Sequence, residues 1–265
     1  MRDGRAGRAE VALSSVLHDP EGRLLPWAER HAAGLGAYAA AAVAATPQTD
    51  RRLLALLRQA GAVPLPGGPE VGTARRRALA AAAAARPGLP VLAVDFDRWL
   101  YWREHAPEEL AAVAAFGPGA CYVCLGRTAA AFASHPRVQR VCEGATNRAL
   151  SLAAGRPMDA TAGAALLRPA AICLVLAGSR EPTNATDLEW PALVLRGAPD
   201  RRQVACRRCR GLAFETAAYH ADDVAAAGGP EAWVAATYER PEVWAARLRL
   251  AADSAAALAR VMAGG

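Results

Sequence analysis

Two aspartates, Asp95 and Asp97, stand at the end of the short apolar run Val91–Val94. A strand that is apolar to its last residue hands whatever follows to the carboxyl edge of a sheet, where α/β proteins bind their ligands. Two carboxylates at i and i+2 on that edge can share one divalent cation, and the cation can neutralise a diphosphate. The local alternative is a turn in which the same aspartates cap the helix that starts near Trp99. Arg98 follows the acids, and Arg75 falls near the start of an earlier predicted helix. Each is placed either to meet anionic charge or to close a structural salt bridge. A second acidic segment, Thr186-Asp187-Leu188-Glu189, sets Asp187 ninety positions after Asp97.

Composition removes several other chemistries. All 31 basic residues among the 265 are arginine. Without lysine there is no Walker-type phosphate loop, no Schiff base and no pyridoxal phosphate linkage. The glycine-rich Gly68-Pro69-Glu70-Val71-Gly72-Thr73 is therefore expected to be a turn into a helix. No G-x-S-x-G or H-E-x-x-H pattern is present, and the five histidines lack metal-ligand spacing. Six cysteines include the pairs Cys121/Cys124 and Cys206/Cys209. The first pair reads as a strand, on which i and i+3 face opposite ways, so small buried side chains are expected there rather than zinc.

A net charge of +6 suits an anionic ligand, and scattered solvated arginines give the same sum. The densest basic run, Arg201, Arg202, Arg207, Arg208 and Arg210, lacks the interleaved aromatics of single-strand binding. A solvated hairpin and no nucleic-acid partner are expected. No run approaches the roughly eighteen apolar residues of a membrane span. Met1–Glu10 is charged and leads into only a brief apolar run without a small-residue cleavage site, so a cytoplasmic protein is expected.

The elements that must position the acids alternate strand and helix, which predicts an α/β fold with a mostly parallel sheet flanked by helices. Strands are expected over Val11–Leu17, Ala39–Ala45, Val63–Leu65, Val91–Val94, Ala120–Leu125 and Asp159–Leu166, with short extended pieces at Leu193–Leu195 and Gln203–Cys206. Helices are expected over Trp27–Tyr38, Arg51–Gln59 (capped by Thr49 or Asp50), Val71–Ala85, Pro107–Ala115, Pro136–Ala154 and Pro169–Leu176. Arg180–Asp187 reads as a loop. Residues 1–9 are expected to form a flexible tail and 10–265 one domain, with a helical C-terminal extension from about Ala221 to the end.

The stretch from Gly72-Thr73-Ala74-Arg75 to Val91-Leu92-Ala93-Val94-Asp95-Phe96-Asp97 resembles the core of GT-A-fold glycosyltransferases, notably family-2-like members, in which a helix precedes a strand ending in a DxD motif. Val43-Ala44-Ala45-Thr46-Pro47 with the helix after it is similar to that family's second strand and helix. Ala162–Arg168 and Thr186-Asp187-Leu188-Glu189-Trp190 resemble its acceptor-side strand and its acidic motif. The likeness spans about residues 10–195 in short pieces.

What it implies is transfer of a sugar from a nucleotide-diphosphate sugar to a hydroxyl acceptor, with Mg2+ or Mn2+ as cofactor. Asp97 would ligate the metal, and Asp95 would approach the metal or the nucleotide ribose. Arg75 and Arg98 would meet the diphosphate. Asp187 would be the general base, with Glu189 as fallback; some members use a late histidine as a third metal ligand, but His220 is left outside the assigned ligands. Asp187 would lie across one cleft from Asp97, about 6–12 Å away, so that a sugar ring fits between them. Two positions depart from the pattern. Ala45-Thr46 stands where an aspartate is usual, and Arg76 or Arg77 where an asparagine is common.

A different class, a non-catalytic binding protein on the same fold, is the alternative. Asp95-Phe96-Asp97-Arg98 also resembles the nucleophile motif of haloacid-dehalogenase phosphatases. That motif normally opens the fold, continues with glycine and threonine, and needs a lysine. The rings of Trp99, Tyr101 and Trp102 are expected mainly in the core, with at least one at the pocket mouth if a sugar is bound.

Overall fold

A computed structural model describes residues 10–264, so the expected N-terminal tail lies outside the described residues. Seven strands, β1 (Ala12–Leu17), β2 (Ala41–Ala45), β3 (Val63–Pro66), β4 (Val91–Val94), β5 (Tyr122–Arg127), β6 (Ala164–Leu167) and β7 (Val204–Cys209), form one sheet in the order β3-β2-β1-β4-β6-β5-β7. All neighbours are parallel except β6, which runs against both β4 and β5. The α/β expectation of a mostly parallel sheet flanked by helices holds.

The chain winds outward from β1 to β3 and then returns to place β4 on the other side of β1. That reversal opens a crevice at the carboxyl ends of β1 and β4. The one reversed strand has a consequence there: β6 begins where β4 ends, with Ala164 opposite Val94. The loop into β6 is thereby brought to the ligand edge, and the Asp95 amide donates to the Gly163 carbonyl at 3.2 Å.

Alternating side chains feed two cores, one on each face of the sheet. Leu13, Val43 and Leu92 join Phe96, Trp99 and Trp102 on one side, while Ala12, Ala42 and Val91 join Leu79, Leu150 and Val194 on the other. Trp99 and Trp102 are fully buried, and Tyr101 packs beside Trp27 and His105, so this aromatic trio is packing. The helix Pro241–Met262 is the longest element of the C-terminal region. It packs along the helices Arg137–Ala154 and Thr186–Gly197.

Several boundaries move. The helix expected to Tyr38 stops at His31 and continues as a 3-10 turn, Ala32–Ala37, across Gly34 and Gly36. The Pro107 helix likewise ends at Ala111, with a 3-10 turn after it. Residues 159–163 are loop rather than strand, because Asn147 takes their amides: Ala160 and Thr161 donate to its Oδ1. Leu193–Leu195 is helical, inside Thr186–Gly197. Every residue from Leu188 to Leu195 is buried there, so the helix shows no polar face and reads like a strand. The arginine run is not a hairpin, since Arg207 and Arg208 sit on the edge strand β7. Asp50 does cap Arg51–Gln59, accepting from the Arg52 amide. All six cysteines are free, and the register pairs Cys124 with Cys206, one from each CxxC, across β5 and β7.

Candidate functional site

Asp95 occupies the N-cap position of the helix Phe96–His105 but makes no capping bond with its side chain. Its carboxylate goes instead to Arg75, which donates through Nη2 to both oxygens, at 3.0 and 2.9 Å. Nη1 of the same guanidinium donates to Asp187 Oδ1 at 2.7 Å and to Thr186 Oγ1 at 3.0 Å. One arginine therefore bridges two acids that are 92 residues apart in sequence.

A glycine sets this up. Gly72 lies flat against residues 181–182, its amide donating to the Pro182 carbonyl at 2.9 Å. A Cβ at Gly72 would fall 2.1 Å from the Glu181 carbonyl oxygen. The close approach presses the helix Val71–Ala85 onto the segment that leads into Thr186–Gly197, and Arg75, one turn along, drops between Asp95 and Asp187.

Asp187 sits in the first turn of its helix, where the backbone dipole favours negative charge. Burial nevertheless pushes its carboxyl up to about 6; Arg75 opposes the rise and Asp95 adds to it. Arg75 stays charged, held so by both acids against its own burial. Asp97 is pushed up to about 7 by burial, then by the charges of Glu215 and Asp95, with Arg98 pulling the other way. Arg98 reaches toward Glu215 at 3.6 Å, a contact too long for a hydrogen bond, and its Nη1 and Glu215 Oε2 have no hydrogen-bond partner.

Beside a small pocket of about 30 Å³ that Ser15, Arg75, Asp95 and Asp187 help to line, the space around these groups has two larger parts. A cleft of about 920 Å³ runs along the carboxyl ends of β1, β2 and β4, lined by His18, Thr46, Gly68, Asp95, Asp97, Tyr219 and His220 among others. Behind Asp95 lies a chamber of about 90 Å³, which Arg75, Arg98, Glu143, Asp187 and Arg247 help to line. Asp95 and Asn184 line both. Asp97 thus opens onto the cleft and Asp187 onto the chamber, on either side of Asp95.

Glu189, the fallback base, is spent elsewhere. It is buried and accepts from Ser179 Oγ and from the Arg180 and Glu181 amides, fixing the turn before its helix. His220 does line the cleft beside Asp97, with Nδ1 2.9 Å from Asp223, which in turn holds Arg23 at 2.9 Å. At the end of β2, Thr46 takes the place of the absent aspartate, and its hydroxyl meets His18 Nδ1 at 2.7 Å.

Sequence reasoning missed Glu215, Tyr219 and Asn184. Tyr219 donates its hydroxyl to the Asp97 carbonyl and so closes the far wall of the cleft. The available signal was Glu215 itself, a lone acid in the otherwise uncharged stretch 211–219. Among the described residues no three His, Cys, Asp or Glu side chains gather as a metal group, and no helix is long and apolar enough to cross a membrane. Comparison with protein-family models, with curated proteins and with solved structures finds no match.

Proposed function

We propose that this protein is a cytoplasmic, GT-A-like glycosyltransferase that moves a sugar from a nucleoside-diphosphate sugar to a hydroxyl acceptor. The observation that carries the reading is the division of the site at Asp95: Asp97 faces a large cleft on the strand ends, and Asp187 faces a small chamber beside it. The donor would lie in the cleft and the acceptor in the chamber, with the reacting carbon between them.

The carboxylates suit these roles. The hydrogen bonds of the Asp187 carboxylate run through Oδ1, to Arg75, which leaves Oδ2 for an acceptor hydroxyl. With a pKa near 6 it is ionised at neutral pH yet basic enough to take a proton. The acceptor oxygen forms its bond to the anomeric carbon as the bond from that carbon to the phosphate oxygen breaks. The proton passes to Asp187, and the nucleoside diphosphate leaves with the electron pair.

Asp97 fits a hydrated Mg2+ or Mn2+, which takes one or two carboxylates and fills its shell with water and phosphate. Like charges from Glu215 and Asp95 raise Asp97, and a cation at that carboxylate relieves them. When bound, the ion would neutralise charge on the departing diphosphate. Both oxygens of Asp95 already accept from Arg75, so Asp95 serves better as the wall between the two spaces than as a second ligand.

One observation favours the rival, a non-catalytic binding protein: Arg75 already engages both Asp95 and Asp187 in ion pairs. A thermal-shift screen of nucleoside diphosphates with and without Mn2+ separates the two. Stabilisation that needs both nucleotide and metal, lost in Asp97→Asn, supports the transferase. Stabilisation by nucleotide alone supports the binding protein, and none with any nucleotide refutes both.

A further inference from the structure

Among the described residues four large apolar side chains are exposed, and three of them, Val141, Leu152 and Leu248, lie on two helices that pack together. The fourth, Val63, is on the edge strand β3. Val141 and Leu152, 50% and 64% exposed, both belong to the helix Arg137–Ala154. Their spacing is about three turns, so they share one face. Exposed Arg137, Ala145 and Arg148 fall on the same stripe, and Arg140 flanks it beside Val141. The opposite face, with Val138, Cys142, Asn147 and Leu150, is buried in the protein, which holds the stripe in place.

The helix Pro241–Met262 runs alongside in the same direction. Arg137 lies over the Trp244 ring at 5.9 Å, and further along both helices Glu143 meets Arg247 at 3.5 Å. Leu248, one turn on from Trp244 and 54% exposed, therefore stands level with Val141, one turn on from Arg137.

The charge on this face has one sign. Glu143 is the only acid of the helix Arg137–Ala154, and its side chain, 13% exposed, turns inward to Arg127 and Arg247. The guanidiniums of Arg140 and Arg148 have neither hydrogen bond nor ion pair among the described residues. Arg137 has the Trp244 ring but no carboxylate. On the neighbouring helix Asp253 offsets Arg249, and Arg240 answers Glu242. Arg137, Arg140 and Arg148 are left without counter-charge.

A convex helix surface fits a plane better than a groove, and Arg140, Val141, Arg148 and Leu152 line none of the three cavities described above. An anionic bilayer meets both parts of the stripe. Headgroup phosphates take the guanidiniums, and the bare aliphatic side chains enter among the acyl chains. A second copy of this chain would set arginine against arginine. A nucleic acid would find aliphatic side chains where it needs aromatic rings to stack on.

We propose that this face docks the protein on a membrane surface rich in anionic phospholipid, with the helix Arg137–Ala154 lying along it. The inference does not depend on the transferase reading.

Co-sedimentation of the full chain with vesicles tests it, using phosphatidylcholine alone and an equal mixture with phosphatidylglycerol. The chain pellets with the mixed vesicles and not with phosphatidylcholine, and added salt weakens the binding. Arg140→Gln with Arg148→Gln lowers the affinity about tenfold or more, and Leu152→Ser with Leu248→Ser lowers it by a similar factor of about ten. All four side chains face solvent, so both variants keep the parent's Tm. Failure to bind the mixed vesicles, equal binding to phosphatidylcholine, or binding undiminished in either double variant overturns the proposal. A dimer in sedimentation equilibrium that Leu152→Ser with Leu248→Ser dissolves also overturns it, since a second copy would then cover the face. So does binding to RNA that the arginine variant loses and the leucine variant keeps, together with no binding to the mixed vesicles.

Discussion

Replacing Arg75 by methionine keeps much of the side chain's apolar length and removes the charge that Asp95 and Asp187 share. Four hydrogen bonds go with it, from a side chain only 11% exposed. Taking one partner from a buried ion pair costs about 3–5 kcal/mol, a large part of the roughly 5–15 kcal/mol that holds a domain folded. Asp187, which burial already pushes up to about 6, loses the guanidinium that opposes the rise, so its folded pKa stays above the unfolded value of about 3.9. A carboxyl raised on folding binds more protons in the native state, so stability is lost as pH rises through the folded pKa and is regained below the unfolded one. The parent already shows that sign at Asp187, whose pKa is about 6. Urea denaturation followed by circular dichroism therefore finds Arg75→Met less stable by about 3–5 kcal/mol at pH 8 and by clearly less at pH 5. Adding Asp95→Asn and Asp187→Asn recovers part of the loss at pH 8. A deficit below about 1 kcal/mol at pH 8, in the range of an exposed pair, or an equal deficit at both pH values, would refute the account of Arg75 as a buried bridge.

Asp187→Asn keeps metal-dependent nucleotide binding and loses transfer by a factor of about 100 or more, and the parent rate falls on the acid side with a midpoint near pH 6; a radiolabelled-sugar transfer assay over pH 5–8 checks both. Asp97→Asn removes the Mn2+ dependence of nucleotide binding, read by calorimetry, and undiminished dependence would remove Asp97 from the metal role. His135 is buried and held down to about 3 by its burial, with Arg98 and Arg127 adding. Its unfolded value lies near 6.5, so its neutral form stabilises the fold above that pH, and roughly 2–3 kcal/mol is lost by pH 4.5. His135→Phe makes that limb of the urea-midpoint profile shallower. Gly72→Ala drives a methyl into the Glu181 carbonyl and costs about 1–3 kcal/mol, visible as a lower Tm, while Ala74→Gly on the same helix leaves the close approach intact.

The parts of this protein that were legible in the sequence depend on local order. Val91–Val94 reads as a buried strand because four apolar residues end at two acids, and it lies at the switch point of the sheet with Asp95 at its edge. Asp50 announces its helix because a cap bonds to an amide two residues away, within the same turn. The absence of lysine excludes whole chemistries regardless of folding. Other features were hidden from any local pattern. Within the helix Thr186–Gly197 every residue from Leu188 to Leu195 is buried, Glu189 included, and that erases the periodicity by which helices are found. Nothing near β6 announces that it alone runs backwards, yet that reversal sets Gly163 against Asp95. Which partner Asp95 and Asp187 take was equally undecided by sequence, since an aspartate before a helix caps it or turns away from it with the same neighbours. Tertiary structure decided it through Gly72, whose missing Cβ lets two segments touch and puts Arg75 between Asp95 and Asp187. Charges buried so deeply must find a partner wherever the fold supplies one, and along the chain that partner lies 20 residues from one acid and 112 from the other.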